Sequence, residues 1–537
     1  MAVMTPYMTG RAGRRFRPVS LFLLLAYCLV TGVLVAILPP QLMFAVAIPP
    51  IAGIALILWL LPDGGHVPEK ALATVLVSFA TATVLWPSYL ALDLPGVPWI
   101  TPQRLVALSL LAIGLFAYSS SSKLRAEIAD VLNTVPFLRT AFWIFWATTL
   151  ITIPLSDQPA FSLNKWVNNQ IYWTFLFIAA AWLGTRAGVI GRFLHVFVWA
   201  TLLVALVTIY EYRIGRVPWA DSIPSFLQVD ANYLVNVLKQ QTRTGTDIYR
   251  AHGPFTTSLV AAEYMAIAFP FLIHATVRAE GLWRKMLLIG VIAATAVAMW
   301  TTNARSATIG LLIAVMLYGT FWAFRYWRRK RSSLVAVSVL ALVPLFAIAL
   351  LVLSLTWGRL HNMTFGGAQH SPSSEARDIQ WEMGTPMILR NPIGHGPARS
   401  GDTLGFANRG GQQTIDTYYL SLLLEYGVIG FAAFMAMFIG QAWIGLRVYL
   451  QAEEWEEMLA GPIAIALVNF LIIKSVSSGE VFMPFAFVML GFLIALVKRQ
   501  NARMAVAALG PISAYTPSRL ARNPVHTVNV KPSHVGL

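Results

Sequence analysis

The chain has 537 residues, 57% of them hydrophobic and 12% charged, with a mean hydropathy of +0.66. A soluble domain carries about twice that charged fraction, and apolar runs long enough to cross a bilayer recur from Ser20 to Val497. This excludes a soluble enzyme, a disordered chain and a disulfide-stapled secreted domain, and the lone Cys28 allows neither an intramolecular disulfide nor a Cys-based metal site.

The net charge is +16, from 39 basic and 23 acidic side chains. These charges lie between apolar segments, so they read as a topology signal and as contact with lipid headgroups, not as a nucleic-acid surface. The basic start "RAGRRFR" leads into an apolar run without a small-x-small site before Pro39 and Pro40, so no cleavable signal is expected.

Hydropathy gives an all-α polytopic membrane protein with about 12–14 transmembrane helices. Fourteen candidate spans lie near 20–38, 42–61, 71–90, 104–118, 139–154, 167–184, 193–211, 258–277, 286–301, 306–324, 334–357, 417–440, 459–474 and 481–497. With the N-terminus cytoplasmic, 25 of the 39 basic residues fall on that side, dominated by "RYWRRKRSS", and 14 on the other. The positive-inside rule then places both termini in the cytoplasm. The expected organisation is a cytoplasmic leader (1–19), N-terminal helices (20–211), an outer loop (212–257), central helices (258–357), a large outer loop (358–416), C-terminal helices (417–497) and a cytoplasmic, disordered tail (498–537). The large loop holds "SSEARDIQWEMGTPMILRNPIG", whose apolar spacing fits one short helix ending at "NPIG" and capping a cavity.

Arginines facing outward oppose the positive-inside preference and call for a reason. Five basic residues lie in the smaller loop (Arg213, Arg216, Lys239, Arg243, Arg250) and five in the larger (Arg359, Arg377, Arg390, Arg399, Arg409). Arg305, in "TTNARSATIG", sits between two apolar spans at the membrane boundary, where it either snorkels to headgroups or holds a diphosphate in its guanidinium fork. Arg250, in "YRAHGPFTTSLVAAEY", is expected at similar depth because Gly-Pro marks a turn. Arg377 opens the loop helix beside Glu375 and Asp378, so an ion pair within the loop competes with a ligand role.

Asp416 is the candidate catalytic carboxylate, where the large loop ends and an apolar helix begins; the alternative is a helix cap. Glu425, nine residues on, and the intramembrane Glu263 read as paired structural carboxylates. Tyr418, Tyr419, Trp381 and Trp357 either stack on sugar faces or belong to an interfacial aromatic belt. The outward histidines His252, His361, His370 and His395 lack metal-ligand spacing, so no metal is expected. No Walker loop, dinucleotide fingerprint or nucleophile elbow is present, so no nucleotide cofactor is expected either.

From about 240 to 440 the sequence resembles the O-antigen ligase/O-antigen polymerase superfamily of bacterial membrane glycosyltransferases. Four pieces occur in family order: "RAHGPFTTSLVAAEYMA", "TTNARSATIGLLIAV", "EARDIQWEMGTPMILRNPIGHGP" and "IDTYYLSLLLEYGVIG". The resemblance implies a GT-C-type fold and a polyprenyl-diphosphate-linked glycan as donor, with transfer at the outer, periplasmic face of the bacterial inner membrane. Arg250, Arg305 and Arg377 match the family's diphosphate-binding candidates. Ligases of the family carry His-Asn-x-Tyr-Leu where this chain has Asp416-Thr417-Tyr418-Tyr419-Leu420. The ligase histidine is absent, and an acidic residue there resembles the polymerase or exopolysaccharide branch.

The expectation is therefore inverting, cofactor-free polymerisation of lipid-linked repeat units, alongside a flippase and a chain-length regulator of the same pathway. A ligase passing finished polymer to a lipid or protein is the alternative. A transporter would show inverted repeats or broken central helices, and no repeat is visible in the sequence.

Overall fold

The computed structural model describes residue 53 and residues 67–94, 97–228, 231–238, 248–356, 371–407 and 413–508. The first two expected spans, Cys28, Lys239, Arg243, Trp357, Arg359, His361, His370, Arg409 and the tail beyond 508 lie outside the described residues.

Helix α1 (Glu69–Leu85) precedes a two-stranded hairpin, β1 (Leu92–Leu94) and β2 (Val97–Ile100). Thr101 then caps α2 (Pro102–Ser120), accepting from the Arg104 N–H, and Pro102 occupies the first turn, where its missing N–H costs nothing. Ser121 caps the short α3 (Ser122–Asn133) in the same way, and α4 (Pro136–Ile151) follows. Helices α5 (Pro159–Asn169) and α6 (Leu176–Leu183) run together through a π-helical turn at Gln170–Phe175. A long α7 (Val189–Ile214) ends at Gly215, whose φ of 69° gives a left-handed cap. After the two-turn α8 (Ala231–Leu238) come α9 (Ser258–Arg278), α10 (Leu282–Thr301), α11 (Arg305–Arg329) and α12 (Leu334–Thr356). The large loop contains α13 (Ser371–Arg390) and α14 (Ser400–Leu404), and the chain finishes with α15 (Tyr418–Gln451), α16 (Ala460–Lys474) and α17 (Met483–Ala508).

Among the described residues nine helices are long and apolar enough to cross a membrane. The chain is thus a multi-pass, all-α membrane protein. The expected spans recur with shifted ends, and the helix expected before "NPIG" is α13, ending at Arg390. The β-hairpin, α3 and α8 had no counterpart in the hydropathy pattern, because they are short and lie between apolar runs. Helices α9, α16 and α17 form the centre, whereas the apolar windows of α2 and α10 are only 22% buried and turn most of their surface outward.

Two features fix the end of the bundle where α7 and α10 finish and α9, α11 and α15 begin. The first is an ion pair in the apolar core. Lys474 Nζ stands 2.6 Å from Glu263 Oε1, with side chains 0% and 1% exposed. Lys474 also donates to the Gly479 carbonyl and lies over the rings of Phe470 and Tyr418. The pair joins α9 to the end of α16 and orders the turn that follows.

The second is a break in α15. Gly427 has φ 66° and ψ −171°, outside the range of residues with a Cβ. Its break releases carbonyls that an unbroken helix would use. His395 N–H donates to Leu424 O (2.8 Å), Gly396 N–H to Glu425 O (3.0 Å), and Val428 N–H to Pro392 O (2.9 Å). The loop "NPIGHG" therefore replaces the missing turn of helix, bond for bond. A Cβ on Gly427 would come within 2.1 Å of Pro392 O.

Gly427→Ala should lose at least the roughly 1–3 kcal/mol of backbone strain at such a position, and hydrogen exchange at His395 and Gly396 should rise. Lys474→Met leaves Glu263 buried without a partner and should cost about 3–5 kcal/mol, which Glu263→Leu in the same chain should largely restore. Thermal unfolding in detergent measures both.

Candidate functional site

At this end of the bundle, the segment before α9 and the turn between α10 and α11 meet backbone to backbone. Ala251 N–H donates to Thr301 O (3.2 Å), and Asn303 Nδ2 donates to the Tyr249 carbonyl (3.0 Å). Asn303 makes the turn with φ 48°, a left-handed conformation its short amide tolerates. This pairing brings Arg250, whose Nε donates to Thr302 O at 3.3 Å, beside Arg305 at the start of α11.

Glu211 holds the Arg250 segment from beneath. It is fully buried near the end of α7 and accepts from Tyr249 Oη (2.8 Å), from His252 N–H (3.0 Å) and from Gly253 N–H. Burial and the Glu211 charge push the Tyr249 phenol well above its ordinary range, so it stays a donor. Gly253 has φ 60° and packs where a Cβ would meet Thr208 Oγ1 at 2.6 Å. The His252 ring is buried, with Nε2 3.7 Å from Glu211, beyond hydrogen-bond distance.

Helix α13 supplies the roof. Ser374, Arg377, Gln380 and Gly384 recur every three or four residues and form one face. Ser374 Oγ accepts from Arg305 Nη2 at 3.3 Å. Gln380, fully buried, accepts from the Asp416 N–H (2.9 Å) and donates to Thr414 O (3.4 Å). At Gly384 a Cβ would meet Leu420 at 2.7 Å, so its lack of a side chain lets α13 lie close on α15.

The result is a cavity of about 290 Å³ whose lining includes Arg250, Arg305, Arg377, Asn303, Ser306 and Ser374. Among the described residues, none of those lining it is acidic. The sequence candidates Arg250, Arg305 and Arg377, separated by up to 127 residues, thus share one cavity. Arg377 makes no ion pair with Glu375 or Asp378 among the described residues, and its Nε is buried without a hydrogen-bond partner there. The Ser306 hydroxyl is orphaned in the same way. Helix α11 begins at this cavity with no side-chain cap, so its first N–H groups and its dipole add positive potential. Orphan donors, guanidinium groups and a helix N-terminus together give a chemistry suited to an anion.

Asp416 lies beside this cavity, not among its lining residues. It does not cap α15: the cap position is Thr417, without a side-chain cap bond. Burial pushes the Asp416 carboxyl above its usual range, and the nearby Arg377 charge pulls part of the way back. Asp416 and the guanidinium cluster are therefore electrostatically coupled.

The remaining candidates are dispersed. Glu263 pairs with Lys474, and Glu425 accepts from Ser400 Oγ at 2.6 Å. His395 pins the loop to α15, with Nδ1 3.0 Å from Leu424 O. The Tyr419 hydroxyl donates to Leu471 O and its ring lines a separate apolar groove. Trp381 is 36% exposed on α13. Arg399 is committed to Asp157 through two bonds of 2.6 and 2.7 Å, and its charge holds the Asp157 carboxyl below its usual range.

Sequence reasoning missed Glu211, Ser306, Ser374 and Gln380. Ser306 adjoins Arg305, and Glu211 is a carboxylate in an apolar span, which is itself a signal. Ser374 and Gln380 carry no local mark, since only the fold of the loop aligns them.

Residues 288–435, about a quarter of the chain, match a family model described as O-Antigen ligase. The match runs from within α10 into α15 and covers Arg305, Arg377 and Asp416, but not Arg250. No curated protein matches the chain. The match supports glycosyl transfer of the ligase or polymerase type in general, with lipid-linked glycans as its substrates. Together with the multi-pass architecture, it makes this part of the chain similar to the O-antigen ligase/polymerase superfamily of membrane proteins.

Proposed function

We propose that the protein polymerises polyprenyl-diphosphate-linked oligosaccharide repeat units at the outer face of the inner membrane, with the arginine cavity facing the periplasm. The observation that carries this reading is the convergence of Arg250, Arg305 and Arg377 on one cavity, with no acidic residue among its described lining. A diphosphate suits such a cavity because guanidinium groups donate paired, charge-assisted hydrogen bonds to its oxygens.

In this mechanism the diphosphate of the donor binds the arginines, with its lipid among the helices. An acceptor sugar hydroxyl attacks the anomeric carbon from the face opposite the diphosphate. The new C–O bond forms as the anomeric carbon–phosphate oxygen bond breaks, and configuration inverts. The leaving electron pair resides on the diphosphate oxygen, where Arg250, Arg305, Arg377 and the α11 N-terminus stabilise it. The hydroxyl proton passes to Asp416, a role worth roughly 10²–10⁴-fold in general. Trp381, partly exposed on α13, stacks on the glycan as it leaves the cavity. A flippase supplies the donor and a chain-length regulator sets product size.

The ligase alternative rests on the family description, O-Antigen ligase. The aspartate where ligases of the family carry histidine favours polymerisation. Loss of a polymerase leaves single repeat units in the cell, whereas loss of a ligase leaves full-length, unattached polymer.

Purified protein given the lipid-linked repeat, EDTA and no nucleotide should produce a ladder of repeat multiples. Arg305→Ala should abolish the ladder while leaving membrane insertion intact; wild-type polymer length in that variant would overturn the diphosphate role. As a base, Asp416 must be ionised, and burial raises its pKa, so activity should fall on acidification with an inflection above the ordinary aspartate value of about 3.9. Residual activity in Arg377→Gln should show that limb displaced further upward, because a cation that lowers the pKa is gone. Initial rates across a pH series read both effects.

A further inference from the structure

A second polar cavity, of about 320 Å³, lies on the other side of the segment that carries Asp416. Its polar lining includes Lys165, Ser400, Tyr418, Glu425, Ser478 and Glu480. Two stretches separate it from the arginine cavity. Residues 415–418 place Ile415 and Tyr418 in the second cavity with Asp416 between them, near Arg377. The turn after α16 places Ser475 and Val476 in the first cavity and Ser478 and Glu480 in the second. Ser478 Oγ donates to the Ile415 carbonyl and ties the two stretches together.

The chemistry of this cavity is unlike that of its neighbour. Lys165 and Glu480 pair across it, and both side chains remain more than a quarter exposed. Glu425 is 7% exposed and accepts from Ser400. Tyr418 is 2% exposed, and its hydroxyl has no hydrogen-bond partner among the described residues, although both carboxylates are within electrostatic reach. A buried hydroxyl left unpaired costs about 1–3 kcal/mol, a penalty that a ligand group can remove. Two carboxylates repel a phosphate, so the cavity does not extend the anion site. Lys165 offsets one of the carboxylates and disfavours a bound cation. What suits alternating donors and acceptors is a neutral ligand with several hydroxyls, each of which both donates and accepts. The volume falls at the lower end of small-ligand pockets, about 300–1,000 Å³.

We propose that this cavity is the acceptor-sugar subsite, in which the hydroxyls of one sugar residue donate to Glu425 and Glu480 and accept from Tyr418 and Lys165. Its role as acceptor site rests on the glycosyl-transfer reading; its preference for a neutral carbohydrate does not.

The test uses the full-length protein in nanodiscs and oligosaccharides released by partial acid hydrolysis of the producing cell's own surface polysaccharide. Binding is followed by saturation-transfer NMR and calorimetry for wild type, Glu480→Gln, Gly401→Trp and Arg305→Ala. Gly401 also lines the cavity, and an added Cβ there meets nothing within 4 Å, so this variant occludes the space without altering the polar set. Wild type and Arg305→Ala should bind within two-fold of each other, and Glu480→Gln and Gly401→Trp should bind at least ten-fold more weakly. In the transfer assay the same two variants should raise KM for acceptor and leave KM for the lipid-linked donor within two-fold. Equal binding in wild type, Glu480→Gln and Gly401→Trp, or no binding to wild type, overturns the subsite. Binding lost in both cavity variants, from a wild type that transfers no sugar, would uphold the carbohydrate site and overturn the glycosyl-transfer reading instead.

Discussion

The working end of this protein is organised around one buried ion pair, Glu263 with Lys474. Two charges removed from water are costly, and their mutual attraction recovers that cost only in good geometry. Here the lysine is satisfied by a carboxylate, a backbone carbonyl and two aromatic faces. The pair therefore does more than hold α9 against α16. It sets the direction in which the chain leaves α16, and that exit supplies Ser475 and Val476 to one cavity and Ser478 and Glu480 to the other. Glu211 plays a comparable part under the Arg250 segment, collecting three donors on one buried carboxylate. In both places an intramembrane charge supports a loop at the membrane boundary, and the loop carries the ligand-facing groups.

The two cavities divide the electrostatic work. One gathers guanidinium groups, orphan donors and a helix N-terminus, with no acidic residue among its described lining. The other mixes carboxylates, hydroxyls and a lysine. Asp416 lies between them, raised by burial and lowered by Arg377. A carboxylate in that position is sensitive to whatever occupies the cationic side: an anion bound there would offset the positive field that lowers its pKa and make it a stronger base. In the proposed mechanism, donor binding and proton acceptance would be linked through the Arg377 guanidinium.

Much of this was legible in the sequence, for identifiable reasons. Membrane spans announce themselves by long apolar runs, so the described helices fall near their expected places. Arg305 and Arg250 stood out because an arginine at a span boundary on the arginine-poor side has few structural uses. The helix before "NPIG" was visible from its spacing. What escaped was everything that depends on tertiary alignment. Lys165, Ser400 and Glu480 lie 235 and 80 residues apart along the chain and share a cavity only after folding. Arg399 looked equivalent to Arg377 as an outward arginine, yet it is spent on Asp157 and Asp402. The β-hairpin was hidden because a three-residue strand has too few positions to show alternation.

The exchange of backbone bonds at Gly427 also sets the mechanics of the roof. Because the "NPIGHG" loop completes α15, the C-terminal end of α13 is fixed to the bundle by main-chain bonds, while its Ser374 end is held by side-chain contacts. The helix is a lever with its fulcrum near Asn391. Arg377 lies fourteen residues from that pivot, about 21 Å at 1.5 Å per residue. A tilt of about ten degrees would then move its end of the helix by roughly 4 Å and Gly384, seven residues from the pivot, by about half as much. A small rotation at the anchored end is thus amplified at the arginine cavity.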